Sequence, residues 1–160
     1  MKKLFDIDKI DRQIMSIMLQ DAKTPYAEIG QKLFVSGGTV HVRLKKLMDQ
    51  GIIQGSRLNV DFSKLGFDVI AFLGIYLAKS EMYNGVISEL KDIPEVISAH
   101  YTTGTYSIFA KLICKDTIQL RDVLSTKIQK IDGIQRTETF ISLEESINRP
   151  PYILEDEDKV

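Results

Sequence analysis

The chain of 160 residues is poor in several things, and each shortage excludes a class of protein. It has one cysteine, Cys114, so it can hold no internal disulfide and no multi-cysteine metal site. That cysteine reads as a small apolar residue within a strand. No apolar run approaches the roughly 20 residues that span a bilayer, so no membrane partner is expected. The opening Met1-Lys2-Lys3-Leu4-Phe5 lacks the long apolar stretch of a signal peptide, and a cytoplasmic protein is the expectation. Histidine is limited to His41 and His100, so neither a metal site nor a cofactor is expected. The chain has almost no net charge, at −1. That near-neutrality hides an imbalance. Residues 1–65 carry 11 Lys/Arg against 7 Asp/Glu, whereas residues 66–160 carry 10 against 15. A basic N-terminal part on a neutral chain suits a polyanion-binding module joined to a module with a different task.

What is present falls into two patterns. In the first 60 residues the apolar positions recur at helical spacing. Asp8 or Asp11 can cap a first helix carrying Ile10, Ile14, Ile17 and Met18. Thr24 as N-cap and Pro25 at the first helical position start a second helix, with Tyr26, Ile29 and Leu33 on one face. Ser36 caps a third helix that runs to about Gln50, with Val40, Leu44, Leu47 and Met48 as its apolar stripe. Gly51 ends it, and Ile52 to Asn59, broken at Gly55, reads as the two short strands of a wing. A linker over residues 61–67 follows. From residue 68 the pattern changes to strands: Val69 to Leu77, a helix capped by Ser80 and stopped by Pro94, and Val96 to Thr103. Next come Tyr106 to Cys114, a helix capped by Asp116, and Ile134 to Leu143. Gly104-Thr105 reads as a two-residue hairpin turn. The reading is an α+β protein: a winged helix-turn-helix over residues 1–60 and a ferredoxin-like βαββαβ domain over 68–145. The acidic tail, residues 146–160, is expected to be disordered.

The third helix carries the first chemical signal. On a wheel of about 100° per residue, Val40, Leu44 and Leu47 point one way and Gly38, Thr39, Val42, Lys45 and Lys46 the other, with His41 and Arg43 on the shoulders. An α-helix fits the major groove, where Arg reads guanine, Thr reads base edges and an apolar group such as Val42 meets a thymine methyl. Lys45 and Lys46 suit phosphates, which position the helix without specifying sequence. Ser36 opens the helix, and Arg57 in the wing can touch phosphate or a minor groove. An ordinary solvated helix face would carry the same charges, and the two preceding helices and the wing are what favour DNA. The second signal is the hydroxyl-rich segment Tyr101-Thr102-Thr103-Gly104-Thr105-Tyr106-Ser107 with Thr137-Glu138-Thr139. Hydroxyls and amides can hold a carboxylate and Glu138 an ammonium, a combination that suits a free amino acid. Exposed threonines on a strand serve β-propensity equally well.

Together these segments resemble the Lrp/AsnC, or feast/famine, family of transcription regulators. The resemblance covers about residues 6–145. It rests on Ile7-Asp8-Lys9-Ile10-Asp11-Arg12, Thr24-Pro25-Tyr26-Ala27-Glu28-Ile29 and Thr39-Val40-His41-Val42-Arg43-Leu44-Lys45-Lys46-Leu47. Gly51-Ile52-Ile53, Tyr101-Thr102-Thr103-Gly104 and Thr137-Glu138-Thr139 complete it. It implies binding to double-stranded DNA, an amino-acid effector held between dimers, dimers formed through the C-terminal sheets, and assembly into octamers. The second half is most similar to the asparagine-responsive branch. Carried over by position, the effector pocket comprises Ala99, Tyr101, Thr103, Gly104 and Thr105, the segment Val123, Leu124, Ser125, Thr126 and Lys127, and Thr137, Glu138 and Thr139. Many leucine-type members carry an aspartate where this chain has Ser107. The chain departs from the family twice. Phe34 stands where a glycine is usual, at a cost on the order of 1 kcal/mol if positive φ is required there, and Gly37 replaces the usual proline after the capping serine.

Two other readings compete. Sirohaem decarboxylases are similar in architecture, but would need a cationic pocket bearing histidine; His41 lies in the third helix and His100 stands alone beside the hairpin. A ligand-free architectural DNA-binding protein would leave the hydroxyl-rich hairpin without a use. The sequence therefore points to a regulator rather than an enzyme.

Overall fold

The computed structural model describes residues 6–154, and the expectations for Met1-Lys2-Lys3-Leu4-Phe5 and for the last six residues lie outside them. The described residues form two units, one up to Asn59 together with those from Ile147 onward, the other Val60–Ser146.

The first unit is helical. Helix α1, Lys9–Gln20, is capped by Asp8, whose carboxylate accepts from the Asp11 amide while Asp11 reaches back to the Asp8 amide. This reciprocal capping box satisfies two amide donors that have no partner inside the helix. Helix α2, Tyr26–Lys32, starts one residue later than the sequence suggests. Pro25 is its N-cap, and the Thr24 hydroxyl donates instead to the Asp21 carbonyl at 2.8 Å, captured by the preceding turn. Helix α3, Gly37–Asp49, begins at Ser36, whose Oγ accepts from the Thr39 amide at 3.0 Å. Ile14, Ile29, Val40 and Leu44 form the core cluster, and Leu47 is buried too. Met48, expected in the same stripe, is half exposed, because at i+8 it is turned about 80° from Val40.

The turn between α2 and α3 is tight. A Cβ on Gly30 would lie 2.6 Å from the Val35 carbonyl oxygen, so glycine there permits the close approach. Phe34 has φ +55°, the left-handed conformation the sequence made suspect, with its ring almost wholly in solvent. The wing segment carries neither of the two short strands expected of it. Residues 53–61 carry no strand, Gly55 has φ +138°, and Leu58 is exposed. A lone two-stranded ribbon is marginal in water. Residues 147–154 carry no helix or strand, yet they group with this unit, with Ile153 and Leu154 half-buried.

The second unit is a four-stranded sheet with two helices on one face. Its strands are β1 Val69–Leu77, β2 Val96–Tyr101, β3 Ile108–Cys114 and β4 Ile134–Ile141, in the order β2-β3-β1-β4, each neighbouring pair antiparallel. This is the ferredoxin-like order. Alternation puts Ala71, Leu73 and Ile75 of β1 and Ile108, Ala110, Leu112 and Cys114 of β3 on the inner face. There they meet Val86 and Leu90 of α4, Tyr83–Lys91, and Leu120 of α5, Thr117–Asp122, with Val123 and Ile128 just beyond it. Asp116 caps α5 as expected, its carboxylate accepting from the Gln119 amide at 2.7 Å. Ser80 does not cap α4; it opens a 3-10 turn, Ser80–Met82, that leads into the helix. The helix after Asp116 is not uniform, because Val123–Lys127 widens into a π turn and Ile128–Lys130 tightens into a 3-10 turn.

The two-residue hairpin is also absent. Strands β2 and β3 stop at Tyr101 and Ile108, and the loop between them is closed by the Thr102 amide on the Ser107 carbonyl at 3.1 Å. A two-residue type I′ turn needs positive φ at both central positions. Neither Gly104 nor Thr105 adopts it, and Thr105 is β-branched.

Candidate functional site

The outward face of α3 is assembled from five exposed positions and one bridging pair. Gly38, His41, Val42, Lys45 and Lys46 are exposed, and Val42 keeps 66% of its surface in solvent. A valine so exposed contributes nothing to the core, so its position invites a partner. Thr39 is half-buried at the first turn, where its hydroxyl shares a 2.9 Å hydrogen bond with the Ser36 Oγ. A shallow groove runs along the helix, lined by Asp8, Gly38, Thr39, Val42, Arg43 and Lys46. His41 packs its ring against Tyr26 of α2, with centroids 5.8 Å apart. Arg57 lies in the segment without regular structure.

Arg43 is placed differently from the simple wheel. Its Nη1 donates to the Asp8 Oδ2 at 2.6 Å and to the Asp11 Oδ1 at 2.9 Å. Asp11 is 1% exposed, so its charge must be paired within the unit. The two carboxylates hold the Arg43 guanidinium above its usual pKa. Burial works to raise the Asp8 carboxyl, but the Asp11 amide and the Arg43 guanidinium outweigh it and hold it below the usual carboxylate range. Lys46 donates through Nζ to the Asp6 carbonyl at 3.1 Å. The segment before α1 thus laces α3 from one side. Sequence reading missed this bracing. The Asp8-x-x-Asp11 pair was visible as a cap, but nothing local marked Arg43 as its partner.

In the second unit the residues carried over for the effector fall into separate places. Ala99 and Tyr101 lie on the helix-covered face, where Tyr101 packs on Tyr83 of α4 with centroids 4.5 Å apart. Thr103, Gly104 and Thr105 are exposed in the loop. Val123 is buried, Leu124 half-buried, and Ser125 and Thr126 exposed, with the Thr126 hydroxyl donating to the Asp122 carbonyl at 2.6 Å. Lys127 pairs with Glu95 at 2.9 Å beside a cleft that also includes Gln119, Val123 and Thr126. Burial tends to raise the Glu95 carboxyl, but Lys127, together with its own backbone amide and Gln119, holds it below the usual carboxylate range.

Thr137, Glu138 and Thr139 are consecutive in β4 and therefore alternate between faces. Glu138 pairs in register with Gly74 on the open face of the sheet. There its two oxygens accept from Tyr106 Oη at 2.7 Å and Tyr76 Oη at 3.1 Å, and Arg136 lies 3.2 Å away. These hydroxyls hold Glu138 below the usual carboxylate range, and Glu138 in turn raises Tyr106. A Cβ on Gly74 would meet the Tyr106 ring at 2.4 Å, so glycine opens the space that lets this ring reach Glu138. Within one chain Glu138 and Tyr101 lie on opposite faces of the sheet, so they share no pocket there. Sequence reading missed Tyr76 and Tyr106 as its partners; the signal was a glycine on the open face of an otherwise bulky strand.

A serine-capped third helix with a cationic outer face, joined to a ferredoxin-like sheet, defines a two-part DNA-binding regulator. Comparison with known proteins gives the family. Residues 7–54 match the winged helix-turn-helix DNA-binding family and residues 70–152 the Lrp/AsnC ligand binding domain. The chain is 46% identical over 146 residues to the regulatory protein AsnC of Haemophilus influenzae, covering 91% of this chain and 97% of that one. The structure of Escherichia coli AsnC superposes with a TM-score of 0.88 at 42% identity, covering 92% of this chain and 99% of that one. A transcriptional regulator of Neisseria meningitidis, NMB0573, solved as a complex with L-Met, shares the fold with a TM-score of 0.84 at 18% identity, covering 89% of this chain and 93% of that one. The chain belongs to the Lrp/AsnC family. It is a DNA-binding transcription regulator, with a winged helix-turn-helix domain and a ligand-binding domain. No helix among the described residues is long and apolar enough to cross a membrane.

Proposed function

We propose that α3 enters the major groove of its operator and that the second unit couples this contact to a small amino acid of the asparagine type. The observation that carries the first part is the division of α3 itself: Val40, Leu44 and Leu47 are buried, while Val42, Lys45 and Lys46 stand in solvent. Thr39 and Val42 face base edges, Lys45, Lys46 and Arg57 face phosphates, Ser36 and Gly38 place the helix start against the backbone, and His41 lines the rim. Arg43 stands at the edge of this face, where Asp8 and Asp11 hold it as a brace. The double variant Lys45→Ala/Lys46→Ala tests the assignment. It should weaken binding to any duplex and flatten the dependence on salt by about two charges; unchanged binding would remove α3 from the interface.

The second part rests on the ligand-binding domain and on the kinship with AsnC. The effector pocket is Ala99, Tyr101, Thr103, Gly104 and Thr105 with the Val123 to Lys127 turn and Thr137, Glu138 and Thr139, completed by other copies of the chain. Separation of these residues within one chain supports a shared site. Dimers form through the open sheet faces and assemble further into octamers in the cytoplasm. The protein acts by binding rather than catalysis. A thermal-shift screen of the free amino acids is the test, since a ligand at 100 times its Kd stabilises by about 2.7 kcal/mol. A shift with asparagine and weaker shifts with its neighbours are expected. A screen with no shift would leave the domain without an amino-acid effector.

A further inference from the structure

We propose that Asp8 limits the affinity of this regulator for DNA by competing with phosphates for Arg43. The inference rests on the reading that the outer face of α3 meets DNA. Two carboxylates hold one guanidinium, and they are unlike. Asp11 is 1% exposed and closes the pair from within, whereas 49% of the Asp8 side chain is in solvent. Asp8, Asp11 and Arg43 together carry a net charge of −1 beside Thr39, Val42 and Lys46, on a surface that a polyanion must approach.

Structure alone does not require that extra charge. One role of the Asp8 side chain is to accept the Asp11 amide at 2.8 Å as the cap of α1. Asparagine caps a helix about as well as aspartate. The remaining role is the 2.6 Å bond to Arg43, which holds the guanidinium toward α1. A phosphate oxygen offers Arg43 the same charge-assisted geometry. As DNA closes on the helix, Asp8 and the nearest phosphate contend for one cation, and the losing carboxylate stays next to the polyanion. Non-specific binding is the part of affinity most sensitive to such a charge, because it is almost wholly electrostatic. The carboxylate thus restrains the helix from holding every duplex it meets.

The test is Asp8→Asn in the full chain, titrated against a mixed-sequence duplex of about 40 base pairs at several salt concentrations. Binding near 50 mM salt should tighten roughly three- to tenfold, and the slope of log affinity against log salt should steepen by up to about 0.9, one released counterion. The melting temperature should fall only slightly, since the cap is kept and the half-exposed Asp8–Arg43 pair contributes little to stability. Unchanged or weaker binding overturns the proposal, as does a gain that does not diminish with salt. An independent measurement is the carboxyl carbon resonance of Asp8 in the unsubstituted protein, which should move during titration with the duplex as Arg43 leaves it. A resonance that stays fixed at saturation overturns the competition. If Lys45→Ala/Lys46→Ala weakens binding while Asp8→Asn changes nothing, only this inference fails; if neither matters, the placement of α3 on DNA fails with it.

Discussion

The two units bury apolar surface on different scales, and that decides what holds each together. Among the described residues the sheet unit has a cluster of sixteen buried apolar residues, whereas the cluster of the helical unit has four. So small a cluster sets the angle of α3 only weakly by packing alone. The helical unit adds directional bonds: the Asp8–Asp11 capping box, the Ser36 cap, the Arg43 pair and the close approach at Gly30. Area organises the ligand-binding unit, and geometry organises the DNA-binding unit. The difference suits the proposed roles, because a helix placed to read base edges would tolerate little error in aim.

The largest expected effect tests the area side. Leu73 is fully buried at the centre of β1, between β3 and β4. Leu73→Ala should cost about 2–5 kcal/mol, the usual range for removing a buried leucine and leaving a cavity. Chemical denaturation of the purified variant measures it. A loss below 1 kcal/mol would mean that the sheet unit relaxes around cavities and is less closely packed than described.

Next comes the brace. Arg43→Ala leaves the buried Asp11 carboxylate with no cation, and should cost about 1–3 kcal/mol for an uncompensated buried acceptor. The pH dependence follows from the low Asp8 carboxyl. Its pKa is depressed in the folded state, so its contribution is present above the ordinary aspartate range and lost as pH falls through the lowered value. Acid titration of the unsubstituted protein should therefore show a limb that Arg43→Ala shortens. Equal acid limbs in the two proteins would mean that the pair adds nothing to the helical unit.

What could be read from the sequence divides along the same line. The α3 stripe, its Ser36 cap and the order of strands and helices are local patterns of period 3.6 or 2, and they were legible. Phe34 was legible as a backbone anomaly because the resemblance supplied the expected glycine. The partners of Arg43 lie 35 and 32 residues away in the chain, and no local pattern marks them. The same holds for Glu138, bonded to Tyr76 and Tyr106 across 62 and 32 residues. Two details of the sequence pattern are not realised, the short strands of the wing and a two-residue turn between β2 and β3. At 53–61 only Ile53 packs against the helical core while Leu58 and Val60 are exposed, and at 102–107 Tyr106 leaves the strand to cover Gly74. Thr137, Glu138 and Thr139 were grouped by adjacency, although strand alternation sends Glu138 to the face opposite the other two.

A smaller effect sharpens the geometric side. Ser36→Ala removes the side chain that accepts from the Thr39 amide, and should cost about 1 kcal/mol of stability, while Ser36→Gly should cost only a few tenths. Because the lost bond sits at the start of α3, DNA affinity should fall by more than that stability loss requires. Parallel denaturation and binding titrations separate the two. A binding loss that merely tracks unfolding would show that the cap supports the helix without aiming it.

The smallest effect runs in the opposite direction. Phe34 holds φ +55° while 91% of its surface is in solvent, so its ring contributes little packing to offset the strain. A left-handed conformation costs a non-glycine residue about 1–2 kcal/mol. Glycine removes that cost but gains freedom in the unfolded chain, which returns roughly 0.5–1 kcal/mol of it. Phe34→Gly should therefore stabilise the helical unit by about 0.5 kcal/mol, read as a small rise in its denaturation midpoint. The sheet unit should not respond. If Phe34→Gly instead destabilises the protein or weakens DNA binding, the exposed ring has a partner in the assembled complex, and the strained turn before α3 belongs to the interface rather than to the connection.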